Sequence, residues 1–238
     1  MCIRDSFGIV EKINAHLGWI GNLKTDGRPT LGLDSKELLK IVLNISENCL
    51  VVPSHAWTPW FSIFGSRSGF DSIEECFNNW SKYIFAIETG LSSDPPMNWR
   101  LSSLDKITLI SCSDAHSPSR IGREANVFET ELSLPAIIEA IKTKNPQKFL
   151  YTIEFFPQEG KYHYDGHRTC GISLSPVESK KYNGVCPNCG KPLTIGVLNR
   201  VEQLANRPSG FKPEGAISFK SLIPLEEIIA DVLGQNSA

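Results

Sequence analysis

Short apolar runs alternate with helix-like patterns along the first 150 residues. Three of these runs have the length of buried strands, namely Leu50–Ser54, Ile84–Ile87 and Leu109–Cys112. Apolar residues at helical spacing follow three capping residues, Asp34, Ser72 and Ser133. A further helix begins at Pro224, with Leu225, Ile228, Ile229 and Val232 on one face. The alternation of helix and strand predicts an α/β fold with a mainly parallel sheet.

Each of the three predicted strands is followed by a side chain that can bind a metal. His55 follows the first strand, Glu88 the second, and Asp114 with His116 the third. In barrels of strand–helix units, the active site lies at the C-terminal ends of the strands. A carboxylate and an imidazole two residues apart point to the same side of an extended strand end and suit a divalent metal. Alternatively, Asp114 caps a turn and His116 is an ordinary surface residue.

A cysteine–histidine pattern in the second half is typical of structural zinc sites. Its four members are His167, Cys170, Cys186 and Cys189. Two x-x spacings separated by a gap in the mid-teens can complete a tetrahedral set of ligands. His163 or Asp165 could replace His167, and the main alternative to zinc is a redox Cys-x-x-Cys. No thioredoxin-like strand pattern precedes the cysteine pair.

Charge is distributed unevenly along the chain. The formal net charge is −2, yet residues 161–212 carry eight basic and three acidic side chains. We therefore expect a basic zinc module that contacts DNA phosphates through Lys180, Lys181 and Lys191, the alternative being a solvated face. A hydrophobic content of 41% and a charged content of 21% are ordinary for a globular protein. No apolar run approaches the 18 residues of a membrane span and no secretion signal is visible, so we expect a cytoplasmic protein.

Two other groups of residues are candidates for DNA binding. The loop over residues 56–70 contains five aromatic residues, including Trp57 and Trp60. These rings could stack on a base or wedge a duplex, or they could pack over the rim of the barrel. Arg120 and Arg123 follow the third strand end and could hold phosphate oxygens, or they could lie at a solvated helix start.

Several of these segments resemble the polymerase-and-histidinol-phosphatase (PHP) superfamily of metal-dependent phosphoesterases, and most closely its endonuclease Q branch. The resemblance is carried by HAWTPWF (55–61), ETGLSSDP (88–95), SDAHSP (113–118), NLKTDGRP (22–29) and GFDS (69–72). It implies a hydrolase that cuts DNA on the 5′ side of a deaminated base or abasic site. It also implies that His55, Asp114 and His116 bind zinc, manganese or magnesium, and that Glu88 is a ligand or supports one.

The resemblance also implies a domain organisation. Residues 1–150 would form part of a distorted (β/α) barrel, residues 151–213 the basic zinc module with its linker, and residues 214–238 the start of a helical segment. Members of the superfamily normally begin with a His-x-His motif, which this sequence lacks. We therefore expect a fragment without the first strands, in which Met1–Ser6 is not native. A PHP phosphatase for a small ester and a non-catalytic DNA-binding fragment are the alternative functions.

Overall fold

The computed structural model describes residues 2–3, 6–25 and 29–235, which form a mixed α/β structure. Its α-helices are α1 (Phe7–Ile20), α2 (Ser35–Ile45), α3 (Ile73–Phe77), α4 (Pro95–Asn98), α5 (Leu134–Thr143), α6 (Pro176–Lys181), α7 (Val197–Leu204) and α8 (Leu225–Val232). Its strands are β1 (Cys2–Ile3), β2 (Leu50–Val51), β3 (Ala86–Glu88), β4 (Thr108–Ile110), β5 (Ala125–Phe128), β6 (Phe149–Glu154), β7 (Asp165–His167), β8 (Ile172–Leu174) and β9 (Ser218–Ser221). The Asp26-Gly27 portion of the NLKTDGRP segment lies outside the described residues.

The predicted helix starts are confirmed by their caps. The side chains of Asp34, Ser72 and Ser133 accept hydrogen bonds from backbone amides in the first turns of α2, α3 and α5. Such caps satisfy amides that have no partner inside the helix. The predicted helix after Pro224 is also present as α8.

The three predicted strands form at the expected places but are shorter than the apolar runs. β3 and β4 are parallel, with Glu88 opposite Ile110 at their C-terminal ends. The chain after β2 joins this edge because the Glu88 amide donates to the Pro53 carbonyl at 3.0 Å. The C-terminal ends of all three strands therefore lie side by side.

The expectation of a mainly parallel sheet is wrong for the described strands. They form four small sheets, in which β1–β2, β5–β6 and β7–β8 are antiparallel while β3–β4 and β6–β9 are parallel. β7 and β8 are joined by only four residues, and a connection that short cannot make the crossover that parallel strands need. A closed barrel is not formed by these pairings, so the PHP-type barrel stays a prediction.

One hydrophobic core extends beneath the strand ends and into the second half of the chain. It contains Trp57, Phe64 and Ile87, and it also includes Val197 and Val201 of α7. The helix of the cysteine-containing region thus packs on the same core as the first half, which fixes that region beside the strand ends. None of the helices within the described ranges has the length and apolar character needed to cross a lipid bilayer.

Candidate active-site cavity and metal cluster

A candidate active-site cavity of about 500 Å³, hereafter the active-site cavity, lies at the C-terminal ends of β2, β3 and β4. His55, Asp114 and His116 all line it, as the sequence predicted for residues that share one site. The other lining residues are Thr58, Trp60, Phe61, Gly90, Leu91, Ser92, Lys161 and Tyr162. The cavity therefore combines side chains of types that can bind a metal, aromatic rings and a lysine.

The backbone at this edge is held in unusual conformations. The backbone φ angles of His55 and Asp114 are +32° and +43°, values that residues other than glycine rarely adopt. Gly90 lies against His55 with a φ of +70°, and a Cβ atom there would lie 3.0 Å from the His55 Cα. Strained backbone of this kind clusters at functional sites.

Glu88 does not line the cavity but contacts His55, which does. Its side chain is buried, and its carboxylate accepts a hydrogen bond of 2.8 Å from the His55 amide. Burial raises the pKa of Glu88, and the nearby Asp114 charge raises it further, while the His55 amide lowers it. The contact fixes the His55 backbone. Of the two roles expected for Glu88, a metal ligand or a residue that supports a ligand, this contact favours the second.

Both histidine rings are oriented through Nδ1. In His116 this nitrogen lies 2.8 Å from the Asp114 carbonyl oxygen, which can only accept, so Nδ1 carries the proton. In His55 it lies 3.1 Å from Thr58 Oγ1, which donates its own hydrogen to the Trp60 carbonyl. A neutral ring protonated on Nδ1 keeps the Nε2 lone pair that a metal ligand needs.

The side chains that line the cavity are not part of the group that the structure brings together as a metal-competent cluster. Across residues 2–3, 6–25 and 29–235, the single group whose ligand atoms all lie within 4.8 Å of one another is the cysteine–histidine set. His55, Asp114 and His116 line the same cavity but do not belong to that set. A shared metal site in the cavity stays a prediction.

The cysteine–histidine set forms a compact cluster that can hold a metal. It consists of His167, Cys170, Cys186 and Cys189, and its cysteines are free thiols. His167 is its fourth member, because His163 is directed to the Ser92 carbonyl and Asp165 accepts from the Gly196 amide. The chain folds around the cysteine pair through hydrogen bonds from the Cys186 amide to Lys191 and from the Gly190 amide to Cys186.

The thiols of the cluster differ in acidity. Burial raises the pKa of Cys186, but the Asn188 and Cys189 amides outweigh it and hold the pKa at about 7. The hydrogen bond with Cys189 raises the pKa of Cys170 to about 11. Because the thiolate is the form that binds metal, Cys186 is ready to bind a metal at a lower pH than Cys170.

Known proteins resemble the chain in sequence and structure, although no protein-family model matches it. An uncharacterised protein of Methanocaldococcus jannaschii is 34% identical over 192 residues, covering 76% of this chain and 23% of that protein. YqxK of Bacillus subtilis, also uncharacterised, is 30% identical over 182 residues, covering 74% and 45%. The chain thus spans less than half the length of either curated relative.

Two solved structures match almost the whole chain. The lesion-specific endonuclease PfuEndoQ from Pyrococcus furiosus superposes with a TM-score of 0.83 and 30% identity over 99% of this chain and 57% of that one. A second structure, endonuclease Q with a 27-mer duplex substrate bearing an abasic lesion at the active site, gives 0.86 and 29% over 99% and 58%. The resemblance to endonuclease Q is confirmed. The PHP superfamily and its barrel stay predictions.

Within this endonuclease Q-like fold, the two loop tryptophans have different environments. Trp57 is 1% exposed, stacks on Phe64 with a centroid distance of 4.6 Å, and donates from Nε1 to Asn98 at 2.8 Å. The predicted DNA contact of Trp57 is wrong, because its ring fills the core and its polar atom is satisfied there. Trp60 is 42% exposed and forms part of the cavity wall.

Both candidate arginines are engaged within the chain. Arg120 pairs with Glu226 and Glu227 of α8, at 3.4 Å and 2.6 Å. Arg123 donates from Nε to the Ser113 carbonyl at 2.9 Å and lies over the Phe155 ring. Neither lines the active-site cavity. Arg120 would have to leave two carboxylates to bind a phosphate, and Arg123 fixes the chain just before Asp114.

The candidate lysines are exposed, but Lys180 does not face the active-site cavity. It lines a separate cavity of about 550 Å³, together with Leu193 and Ile195. Thr194 and Gly196, the alternate residues of the same segment, line another cavity of about 350 Å³. Segment 192–196 therefore separates Lys180 from this smaller cavity. Lys181 and Lys191 line neither the active-site cavity nor the smaller one.

The smaller cavity contains functional candidates that the sequence reasoning missed. It shares Trp60, Lys161 and Tyr162 with the active-site cavity and adds Tyr164 and Arg168. Trp60 and Tyr162 form the shared wall, with their rings edge to face at 6.1 Å. Two tyrosines and a lysine within residues 161–164, just before the cysteine–histidine pattern, were the available signal. Aromatic and basic side chains mixed in this way are typical of surfaces that bind unpaired nucleotides.

Proposed function

We propose that this protein is a metal-dependent DNA endonuclease that hydrolyses the phosphodiester on the 5′ side of a deaminated base or an abasic site. One observation carries the proposal. His55, Asp114 and His116 line a single cavity in a fold similar to endonuclease Q over 99% of the chain. A DNA duplex with an abasic lesion, the substrate of the second matched structure, is the partner we infer. The enzyme would act in the cytoplasm, where free thiols are stable.

The donor chemistry of the cavity suits a divalent ion. His55 and His116 can present Nε2 and Asp114 a carboxylate, a set that accepts zinc, manganese or magnesium. When bound, the ion would make water a stronger nucleophile and stabilise charge on the phosphate.

The chain's own residues account for substrate positioning. Lys161 lies in both cavities and can contact the phosphate nearest the metal-binding side chains. The Trp60–Tyr162 wall offers aromatic faces to a nucleotide outside the base stack. Damaged or mispaired bases leave the stack at lower cost, which favours their entry.

We infer that the cysteine–histidine cluster holds a structural zinc ion. Three thiols and one imidazole with ligand atoms within 4.8 Å match the soft, four-ligand chemistry of closed zinc sites. Four protein ligands leave no position for a reacting water. The cluster would therefore stabilise the basic module and would not cut DNA itself.

The test of the function is a nicking assay with Asp114→Asn. The expected result is that wild-type protein with added manganese or zinc nicks a duplex on the 5′ side of a single deoxyuridine, whereas the variant does not. Asn removes the charge that holds a cation but tolerates the positive φ of Asp114 as well as Asp does, so the fold is kept. A gel shift on the same duplex should show similar binding by both proteins.

Asp231→Asn, which changes an exposed carboxylate in α8, is the matched control and should nick at the wild-type rate. Nicking by Asp114→Asn at the wild-type rate would rule out Asp114 as a ligand. Binding without nicking by the wild type would instead favour a non-catalytic DNA-binding protein. Hydrolysis of a small phosphate ester alone would favour a PHP phosphatase, although such a substrate has no use for the second cavity.

A further inference from the structure

The loop over residues 56–70, which forms one wall of the active-site cavity, is contacted by α7 on the side away from the cavity. Arg200 of α7 donates from Nε to the Phe64 carbonyl at 3.0 Å and from Nη2 to the Phe70 carbonyl at 3.2 Å. Its Nη2 also pairs with Asp71 at 2.6 Å. One guanidinium thus joins the middle and the end of the loop. A planar fork of donors suits this task, because it fixes several acceptors in one geometry.

Two further contacts join the loop to segment 192–196. Ser66 donates to the Ile195 carbonyl at 2.8 Å, and Arg67 donates to the Leu193 carbonyl at 3.3 Å. With Arg200, these contacts connect three consecutive parts of the loop to the second half of the chain. The second half of the chain therefore helps to set the position of the loop.

The loop is packed tightly enough to move as a unit. A Cβ atom on Gly69 would lie 2.1 Å from the Gly65 amide nitrogen, so the two halves of the loop touch through their backbones. The Arg67 amide donates to the Pro59 carbonyl at 2.9 Å, which connects the anchored part to the cavity side. On that side, Thr58, Trp60 and Phe61 line the active-site cavity. A shift at the anchor would be transmitted to the cavity wall.

The start of α7 is in turn fixed by the strand that carries a cluster ligand. Asp165 in β7 is fully buried and accepts from the Gly196 amide at 2.6 Å and from Asn199 Nδ2 at 2.5 Å. His167 of the cysteine–histidine cluster lies two residues further along the same strand. A continuous set of contacts therefore runs from the cluster through β7 and α7 to the loop.

We propose that Arg200 is a positioning residue that sets the Thr58–Phe61 wall of the active-site cavity and couples it to the metal cluster. The catalytic part of the inference rests on the proposed function, whereas the structural coupling does not. Loss of the Arg200 contacts would leave the metal cluster intact but allow the wall to shift. Misplacement of positioning groups by about 1 Å can slow an enzyme a hundredfold.

The structural test is hydrogen–deuterium exchange measured by mass spectrometry on Arg200→Gln. We expect amide exchange over residues 58–70 to rise by about tenfold, while the zinc content per chain stays at the wild-type level. Arg100→Gln is the matched control, because Arg100 also bridges to α7 through Glu202, at 2.6 Å, without touching the loop. In that control, exchange over residues 58–70 should not change.

The coupling to the cluster is tested by combining Arg200→Gln with Cys189→Ser. Cys189→Ser alone should lower the zinc content and raise loop exchange. In the double variant, loop exchange should not exceed that of Cys189→Ser, because both changes release the same anchor. Unchanged loop exchange in Arg200→Gln, an equal rise in Arg100→Gln, or additive effects in the double variant would each overturn the proposal.

The catalytic test compares kcat and KM for nicking of the deoxyuridine duplex. For Arg200→Gln we expect kcat to fall by about tenfold with a smaller change in KM, because the Thr58–Phe61 wall is displaced while Lys161 and Tyr162 on the other side of the cavity keep their places. The kcat of Arg200→Lys, which keeps the positive charge but not the planar fork of donors, should lie between those of the wild type and Arg200→Gln. An unchanged kcat would refute the catalytic part. If the wild type does not nick DNA, the proposed function fails, and the exchange result still decides the structural coupling.

Discussion

Two buried carboxylates lie opposite each other behind the candidate active site, and replacing one of them should stabilise the protein at alkaline pH. The β5–β6 register pairs Ala125 with Ile153, so Glu124 and Glu154 are opposite on the next rung. Glu154 accepts from the hydroxyls of Thr89 and Thr152. Glu124 accepts from the Phe155 amide through Oε1, while its Oε2 has no hydrogen-bond partner in the described structure. Like charges placed directly opposite are unfavourable.

The pKa of both carboxyls responds to this placement. Burial, then the charge of Glu154, raises the pKa of Glu124 to about 8, and burial raises the pKa of Glu154 to about 7. An unfolded chain would ionise both near their ordinary value of 4.5. Between those values the folded protein keeps protons that the unfolded chain releases, so the contribution of these two carboxyls to stability is greatest below about pH 4.5 and falls as pH rises to about 8. At about 1.4 kcal/mol per pH unit, the loss attributable to Glu124 is on the order of 4 kcal/mol.

Glu124→Gln removes this ionisation with almost no change of shape. The free energy of unfolding, measured by urea denaturation at pH 5, 6.5 and 8, should differ little from wild type at pH 5. At pH 8 the variant should be more stable by roughly 2–4 kcal/mol, since Gln cannot acquire the buried charge. Glu129→Gln, an exposed carboxylate just beyond β5, is the control and should follow the wild-type curve. Parallel pH dependence of Glu124→Gln and wild type would refute the assignment of a protonated Glu124 in the folded state.

Two further experiments test the second half of the chain. Cys186→Ser should lower the zinc content by about one ion per chain in elemental analysis and should unfold the region around residues 161–205. The reason is that the free energy of metal binding contributes to the folding of such a cluster. An unchanged zinc count would exclude the cluster as the zinc site. Lys161→Gln with Arg168→Gln should weaken DNA binding more than Lys180→Ala with Lys181→Ala and reduce the slope of log K against log salt by up to about 2, since the first pair lines the smaller cavity beside the active site. A larger loss for Lys180 and Lys181 would instead favour a DNA path across the other side of segment 192–196.

Local patterns predicted much of this structure because they act over a few residues. Asp34, Ser72 and Ser133 cap the helices they were expected to cap, since a cap depends only on the next turn of chain. The cysteine–histidine cluster was likewise predictable, because its ligands lie in two short segments whose spacing is characteristic of zinc sites. The convergence of His55, Asp114 and His116 on one cavity followed from the rule that strand ends share an edge.

Features that depend on distant partners could not be predicted from those patterns. Nothing local to Arg120 indicates that Glu226 and Glu227 would take its guanidinium, because they are more than 100 residues away. The pairing of Glu124 with Glu154 depends on the register of two strands that are separated by α5. The mainly parallel sheet failed for the same reason, since strand direction is decided by how the chain returns and not by the composition of each strand.

The aromatic loop shows most clearly why residue type alone does not assign a role. Trp57 and Trp60 lie three residues apart in the same loop, yet one is buried on Phe64 and the other borders two cavities. Arg200 and segment 192–196 contact the loop at Phe64 and Ser66, while Thr58, Trp60 and Phe61 line the cavity together with His55, Asp114 and His116. The second half of the chain therefore contributes to the site in a way that its net charge does not reveal: it positions the wall against which a nucleotide would lie. If the protein has the proposed function, the position of α7, more than the number of lysines in the module, would determine whether the cavity accepts a nucleotide outside the base stack.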